Sequence, residues 1–168
     1  FSPTILRLST VYGDSFRRRF DLVVNRFVAF ALKKKSIKVF GKLNWRPVVS
    51  VNDVVKAIIL VLGERDKKKL HRKIYNLGSD TENYTIGQIA KIISIFTNCK
   101  LELKNQIEDR RSYKVSFSKI KKNFNFTAKE KLEIGVKKMI KKYKKLKINL
   151  SNPNYFNDKK IKILFKRY

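Results

Sequence analysis

The sequence NWRPVVSVND, residues 44–53, predicts an extended segment followed directly by a helix. Its valines predict a short strand, and Pro47 places that strand at a sheet edge or a bulge, because proline cannot donate a ladder hydrogen bond. Ser50 or Asn52 can cap the helix that follows, and Gly63 is expected to end it. The predicted apolar face of this helix comprises Val51, Val54, Val55, Ile58, Ile59 and Leu62. The stretch therefore predicts a β-strand followed closely by an α-helix.

The rest of the chain repeats this alternation of short strands and amphipathic helices. Strands are predicted at residues 4–9, 37–40, 46–51, 73–77 and 101–103, and helices at residues 20–32, 51–63, from 85, at 118–122 and from about 128. In the helix at residues 20–32, Phe20 is expected on the apolar face and Asp21 in the first turn, where a negative charge complements the helix dipole. The charged residues 65–69 predict a solvated loop. This alternation indicates an α/β domain.

The composition favours a folded domain without a disulfide framework. The chain has 168 residues, of which 43% are hydrophobic, and this is ample for one buried core. A single cysteine, Cys99, excludes an internal disulfide, and a single histidine, His71, excludes a histidine-built metal site. No apolar run approaches the roughly 20 residues that a membrane helix needs. We therefore expect no metal, no membrane span and a cytoplasmic location.

The formal net charge of +28 is the strongest competing signal. A charge of this size attracts nucleic acid or anionic surfaces. The lysines, however, lie in predicted loops and on outer helix faces, such as residues 33–35, 67–69 and 141–142, and they do not surround a nucleic-acid-binding motif. Binding of nucleic acid through the net positive charge stays open as an alternative.

Three motifs together carry a resemblance to a known family: LRLSTVYG at residues 6–13, NWRPVVSVND at residues 44–53, and DRRSYKV at residues 109–115. From about Phe1 to Tyr143, the chain resembles the C-terminal half of an extended short-chain dehydrogenase/reductase, in the NAD-dependent epimerase/dehydratase group that acts on nucleotide sugars. The resemblance implies a Rossmann-like α/β fold that comprises the last strands of the parallel sheet and a small α/β substrate-binding domain. Residues 144–168 would form a basic tail, which could be flexible.

Two family motifs are absent from this sequence. Members of the family carry a glycine-rich G-x-x-G-x-x-G turn after the first strand, and no such sequence occurs here. They also carry a catalytic Tyr-x-x-x-Lys pair. Tyr143 and Lys147 have that spacing, but they lie in a lysine-rich stretch at the end of the last predicted helix, so we interpret them as a chance match. We expect no catalytic residues in this chain, which resembles a piece of an enzyme without its N-terminal cofactor half.

The resemblance implies two groups of ligand-binding residues. Leu8 and Ser9 would border the nicotinamide end of the cofactor, which is NAD or NADP in the complete enzyme. The residues implied to contact a nucleotide-diphosphate sugar are Thr10, Asn25, Arg46 and Arg111. Hydroxyl and amide groups can donate hydrogen bonds to phosphate, and the guanidinium fork is well suited to bidentate phosphate recognition.

Several of these residues also have a purely structural interpretation. Ser9 and Thr10 could simply end a strand, and Asn25 could be a solvated helix residue. The arginines at residues 17–19 could attract a diphosphate or be ordinary surface charge. Asp53 could orient Arg46 or cap the second helix, and we favour the structural role.

Three functions are consistent with the sequence. The first is the nucleotide-sugar-binding portion of an NAD(P)-dependent sugar epimerase or dehydratase, inactive alone and without tight cofactor binding of its own. The second is a basic module that binds nucleic acid or an anionic surface. The third is a subunit that completes a split enzyme with a separate N-terminal Rossmann half.

Overall fold

The computed structural model describes residues 2–104 and 111–165, apart from the side chain of Asp158. The strands are β1 (Thr4–Leu8), β2 (Thr10–Tyr12), β3 (Ser36–Phe40), β4 (Trp45–Ser50), β5 (Lys73–Leu77), β6 (Asn83–Thr85) and β7 (Lys100–Lys104). The α-helices are α1 (Val23–Lys34), α2 (Val51–Gly63), α3 (Lys67–Leu70), α4 (Ile86–Thr97), α5 (Ser118–Phe124), α6 (Leu132–Lys144) and α7 (Asn157–Phe165). The predicted α/β fold class is confirmed.

The strands of the described ranges pair in three groups. The pairs β1–β5, β2–β4 and β3–β7 are parallel, and β6 adds to β4 in the antiparallel direction. The register places Leu8 opposite Leu77 and Thr10 opposite Val48. Within the described part of the chain β1 is bonded on one edge only, by β5, so its other edge is open.

Helix α1 lies at the centre of the larger core. It packs against α4 and α6 and against strand β3. The fully buried members of this core include Phe20, Val24, Val28, Ile37, Ile93, Val136 and Met139. A second core lies between β5, α5 and α2, and includes Val49, Ala57, Tyr75, Leu77, Phe117, Ile120 and Phe124. The two cores hold strands β2 and β4 in fixed positions, and these strands carry the candidate site.

Polar side chains define where two of the helices start. Ser50 caps α2, because its hydroxyl accepts a hydrogen bond from the backbone N–H of Asp53 at 3.1 Å. Thr85 and Gln88 form a reciprocal capping box at the start of α4, with bonds of 3.1 and 2.8 Å. Of the three caps considered for α2, which were Ser50, Asn52 and Asp53, Ser50 is therefore the one that the structure uses.

Three parts of the chain depart furthest from the sequence prediction. Helix α1 begins at Val23, so Phe20 and Asp21 precede it, and the first turn holds no acidic residue. Helix α6 begins at Leu132 rather than near residue 128. The charged stretch expected to be a loop contains the short helix α3, which Asp66 caps by accepting from the N–H of Lys68 at 2.8 Å.

Helix α1 starts late because its approach is held by tertiary contacts. The N–H of Phe20 donates to the carbonyl of Tyr155 at 2.8 Å, so this bond lies outside any helical pattern. Leu22 then has extended φ and ψ of −93° and 135°, which is the usual backbone of an N-cap residue. Phe20 is nevertheless fully buried, as the apolar pattern predicted, although it is buried from a loop.

Much of the predicted apolar face of α2 is exposed to solvent. Val54 and Ala57 are buried against the second core, whereas Ile59 and Leu62 are 64% and 79% exposed. Val55, Ile58 and Leu60 are also exposed on this helix. Val55, Ile58, Ile59 and Leu62 share one side of α2 because they follow helical spacing, and we use the name α2–β1 face for these four residues together with the open edge of β1. Exposed apolar side chains grouped in this way are typical of a surface that packs against a partner.

Part of the segment after residue 143 packs on the larger core. Phe156 is buried in that cluster, and Leu146, Ile148, Leu150 and Tyr155 pack against it. Beyond Phe156, helix α7 exposes Ile161, Ile163, Leu164 and Phe165. No helix among the described residues is long and apolar enough to cross a membrane.

Candidate functional site

Strand β4 holds the guanidinium of Arg46 in a nearly buried position. Arg46 is 7% exposed. Its Nη1 donates to the backbone carbonyl of Trp45 at 2.8 Å and also to the carbonyl of Arg111. The ring of Tyr113 lies under the guanidinium, with Cζ 5.5 Å from the ring centroid. These contacts fix the orientation of a charged group that would be costly to bury without partners.

The segment at residues 111–117 is tied to the β4–β6 pair, and this brings Arg111 beside Arg46. The N–H of Trp45 donates to the hydroxyl of Ser112 at 3.1 Å, and the N–H of Tyr113 donates to the carbonyl of Trp45 at 3.3 Å. Asn83 on β6 exchanges two hydrogen bonds with the backbone of Val115, at 3.0 and 3.1 Å. The predicted neighbours Asp109 and Arg110 lie outside the described residues.

Arg46 and Arg111 line a cavity of about 270 Å³ between β4, β3 and the start of α1. The charged residues in its described lining are four cations, Arg26, Lys38, Arg46 and Arg111, and one acid, Asp21. Arg19 holds Asp21 by a bidentate pair, with distances of 3.1 and 2.6 Å. Among the described residues, the lining therefore has an excess of positive charge, which favours an anionic ligand.

The Arg19 pair also controls the ionisation of Asp21. Burial alone would raise the pKa of this carboxyl, but the hydrogen bond and charge of Arg19, together with backbone hydrogen bonds from Asp21 and Asn157, outweigh it, so the pKa lies below its usual value. Asp21 is thus kept as a carboxylate whose charge is compensated by Arg19, and it offsets little of the positive charge around the cavity.

The N-terminus of α1 opens onto the same cavity. Leu22 and Val23 line it, and Leu22 provides no side-chain cap for the first-turn N–H groups. The first turn also contains no acidic residue. Free N–H groups and the positive end of a helix dipole attract phosphate, so the helix end adds to the field of the four cations.

Asn25 lies in the first turn of α1 and is buried, so the interpretation as a solvated helix residue is wrong. Its Oδ1 accepts a hydrogen bond from the N–H of Gly13 at 3.2 Å. This bond ties the loop after β2 to α1. Asn25 lines a second cavity of about 330 Å³, which shares Thr10 and Leu22 with the first.

The second cavity also contains the residues assigned to the cofactor. Leu8 and Ser9 line it next to Thr10, at the end of β1. The hydroxyl and the N–H of Ser9 both point to the carbonyl of Leu77, at 3.0 and 3.2 Å, so they close the β1–β5 pair. Leu8 is exposed. The structure thus brings Leu8, Ser9, Thr10 and Asn25 around one cavity, and Thr10, Arg46 and Arg111 around the adjoining one.

The three consecutive arginines at residues 17–19 each have an intramolecular partner. Arg18 pairs with Asp14 at 2.7 Å, and Arg19 pairs with Asp21 at 2.6 Å. Arg17 bonds the side chain of Asn157 at 2.6 Å. The two outer arginines, Arg17 and Arg19, also line the second cavity. The run is therefore an ordered part of the site's border.

The sequence interpretation missed several residues of the first cavity, notably Arg26, Lys38, Phe40 and Tyr113. Lys38 had a visible signal, because it is exposed between the buried residues Ile37 and Val39 of β3 and so belongs to the polar face of a strand. The alternation could not show that this face lies opposite Arg46, since that depends on the packing of β3 against α1.

The remaining candidate groups have structural surroundings. The carboxylate of Asp53 is buried and accepts from the N–H groups of Lys129 and Glu130, both at 2.8 Å. Its role in the fold is therefore structural, but the favoured role as cap of α2 is wrong, because Ser50 caps that helix. Tyr143 is buried, and burial raises the pKa of its phenol despite the neighbouring Arg18, which is the wrong direction for a base. Across the described ranges, no three His, Cys, Asp or Glu residues gather as a metal site would require.

Comparison with known proteins confirms the resemblance predicted from the sequence. The family model described as the NAD dependent epimerase/dehydratase family matches residues 1–78. The chain is 28% identical over 141 residues to a UDP-glucuronate 4-epimerase of Thermodesulfobacterium geofontis, covering 82% of this chain and 42% of that protein. It is 30% identical over 145 residues to UDP-glucuronic acid decarboxylase 4 of Arabidopsis thaliana, covering 83% of this chain and 31% of that protein. The chain resembles nucleotide-sugar enzymes of this family.

The solved structures lead to the same fold. A UDP-glucose 4-epimerase of Thermotoga maritima, solved with UDP-glucose, superimposes with a TM-score of 0.72 at 26% identity, covering 84% of this chain and 46% of that one. Other structures with this fold are complexes with NAD, and one of these also holds UDP-glucuronic acid. The chain spans less than half the length of the curated relatives and about half the length of the solved structures that it matches.

Proposed function

We propose that this chain forms the nucleotide-sugar-binding portion of an NAD(P)-dependent epimerase or dehydratase. One observation carries the proposal: the buried Arg46 lies beside Arg111 at a cavity with four cations and one internally paired acid in its described lining. A diphosphate is the part of a nucleotide sugar that needs such a lining. The family resemblance and the nucleotide sugars bound by structures of the same fold support the same ligand class.

In this proposal, Arg46 and Arg111 bind the diphosphate oxygens. The contacts of Arg46 with two carbonyls and the Tyr113 ring hold its fork in place before a ligand arrives, which reduces the entropy lost on binding. Arg111 is exposed beside Arg46, so a ligand in the cavity can reach it from solvent. Thr10 and Asn25 border the adjoining cavity, where a hydroxyl and an amide could donate to the phosphate or to the sugar.

The cofactor would approach the exposed end of β1, next to the second cavity. In the complete enzyme NAD or NADP supplies the hydride acceptor for the sugar ring. Ser9 already donates a hydrogen bond to Leu77, so it would shape the end of the cavity rather than bind the cofactor directly. Leu8 would provide an apolar contact to the cofactor. We expect neither tight NAD(P) binding nor epimerase or dehydratase turnover from this chain alone.

The α2–β1 face is where a cofactor half would pack. It combines the open edge of β1 with exposed Ile59 and Leu62 on α2, and the chain spans only about half of the matched structures. We infer that a Rossmann half covers this face, either in the same polypeptide or as a separate subunit. Removing this apolar area from water would stabilise the assembly at about 25 cal/mol per Å².

A second candidate, binding of nucleic acid or an anionic surface, has one specific observation in its favour. A groove of about 410 Å³ between α4 and α6 is lined by Lys137, Lys141, Lys144 and Lys145 over Phe96 and Ile140. The ammonium of Lys137 lies 4.8 Å from the centroid of the Phe96 ring. Lysines that surround apolar side chains, in a chain with a net charge of +28, would bind a polyanion mainly through electrostatic attraction.

Calorimetric titration with UDP, GDP, CDP and dTDP, at low and moderate salt, separates these functions. We expect saturable, mildly salt-sensitive binding of one nucleotide, lost in the double variant Arg46→Ala/Arg111→Ala. The matched control is Arg65→Ala/Lys91→Ala, which removes the same two charges from exposed positions outside both cavities. Equal loss in both double variants, or weak binding of all four nucleotides that vanishes with salt, would refute the nucleotide-sugar site and favour the polyanion.

A further inference from the structure

The segment after α6 bonds directly to the loop that borders both cavities. We call residues 13–22 the border loop; it follows β2 and ends at the N-cap of α1. The border loop supplies Gly13, Ser15, Arg17, Arg19, Asp21 and Leu22 to the two cavities. It contains no helix or strand of its own, so its shape depends on contacts with other parts of the chain.

Polar contacts from residues 154–157 hold the border loop at two points. Arg17 donates through Nε to the carbonyl of Asn154 at 3.1 Å and through Nη2 to Oδ1 of Asn157 at 2.6 Å. Three residues further on, the carbonyl of Tyr155 accepts from the N–H of Phe20 at 2.8 Å. The border loop therefore contacts residues more than 130 positions away in sequence.

Aromatic packing secures the same junction. The ring of Phe20 lies 4.9 Å from that of Tyr155 and 6.3 Å from that of Phe156, measured between centroids, and Phe20 is fully buried. Phe20 directly precedes Asp21 and Leu22, which line the first cavity. A shift of Phe20 would therefore move the start of α1 together with the Arg19–Asp21 pair.

We propose that residues 154–157 are a clamp that positions the border loop and thereby sets the affinity of the anion site, with Asn157 and Tyr155 as positioning residues. The proposal rests on the proposed function for the identity of the ligand. Neither residue lines the first or the second cavity, so each acts through Arg17 or Phe20. Shortening or displacing residues 154–157 would weaken nucleotide binding without removing any group that touches the ligand.

The test compares Asn157→Ala and Tyr155→Ala with wild type, using the full 168-residue chain and UDP as the probe. Asn157→Ala leaves the net charge unchanged, so an affinity loss cannot come from long-range electrostatics. Asn123→Ala is the matched control, because it removes a side-chain hydrogen bond to a backbone carbonyl, that of Lys119 at 2.9 Å, on the remote helix α5. Tyr155→Phe keeps the ring over Phe20 and should restore wild-type behaviour.

Two readouts are measured. Hydrogen exchange of residues 13–22 should rise at least fivefold in Asn157→Ala and Tyr155→Ala while exchange in α4 stays unchanged, and UDP affinity should fall about three- to tenfold. Unchanged exchange in residues 13–22, or raised exchange with unchanged UDP affinity, would overturn the clamp. If wild type binds no nucleotide, the proposed function fails and the affinity claim falls with it, whereas exchange still reports whether residues 154–157 order the border loop.

Discussion

Replacing Asp53 with alanine should destabilise the protein strongly, because this carboxylate joins two distant segments. It is buried, and it accepts two backbone N–H bonds at 2.8 Å, from Lys129 and Glu130. Lys56 adds an ion pair at 3.1 Å from a largely exposed side chain. Removing the carboxylate leaves two backbone donors without a partner at the approach to α6, next to the second core.

The magnitude follows from those two donors. A fully buried N–H that loses its partner costs about 1–3 kcal/mol, and these two donors are only partly buried. The exposed Lys56 pair contributes about 0–1 kcal/mol. Partial entry of water reduces the sum, so we expect Asp53→Ala to lower the free energy of unfolding by about 2–5 kcal/mol. Urea denaturation followed by circular dichroism measures this directly.

Asp66→Ala is the control for this prediction. Asp66 accepts one backbone N–H bond, from Lys68 at 2.8 Å, as the exposed cap of α3, so its loss should cost about 1 kcal/mol or less. Asp53→Asn should fall between the two, since one amide oxygen can replace only part of the carboxylate. A loss below about 1 kcal/mol for Asp53→Ala, or one equal to that of Asp66→Ala, would refute the reasoning.

Three further predictions concern packing, pH and the anion site. Gly135→Ala should lower the free energy of unfolding by about 1–3 kcal/mol in the same urea assay, because the added methyl group would meet the ring of Tyr12. The Arg19 pair helps to lower the folded-state pKa of Asp21 below its ordinary value of 3.8, so the pair stabilises the fold above that value and the stabilisation is lost as the pH falls through the folded-state pKa. Asp21→Asn should therefore make the free energy of unfolding less dependent on pH in the acid range below the ordinary carboxyl pKa, and an unchanged pH dependence there would contradict this. Arg46→Lys should weaken UDP binding about tenfold or more in calorimetry, since an ammonium cannot reproduce the guanidinium fork, and equal affinity would argue against bidentate contact.

The local pattern of the sequence was enough to predict most of the secondary structure. Alternation and helical periodicity placed β3, β5, α2 and α4 close to their observed bounds, because each of these elements buries one face and ends at a residue with a clear capping or turn preference. The resemblance implied that Arg46 and Arg111 contact one nucleotide sugar, and this stays a prediction. The structure places the Arg111 carbonyl within hydrogen-bonding reach of the Arg46 guanidinium.

The starts of α1 and α6 could not be predicted in this way, because their causes lie far along the chain. The backbone before α1 is held by the carbonyl of Tyr155, and the backbone before α6 is held by the carboxylate of Asp53. A backbone N–H group that donates to a distant part of the chain does not require a hydrogen bond within the helix, so the helix begins later than its apolar pattern does.

The sequence by itself determined the α/β class, the order of most elements and the residue types suited to phosphate. Only the tertiary structure decided that Arg26, Lys38, Arg46 and Arg111 surround one cavity, and that residues 154–157 hold its border loop. It also decided that Ile59 and Leu62 face solvent despite a pattern typical of a core helix. The physical reason is that periodicity records which face of an element is apolar, whereas the partner of that face depends on contacts between residues far apart in the chain.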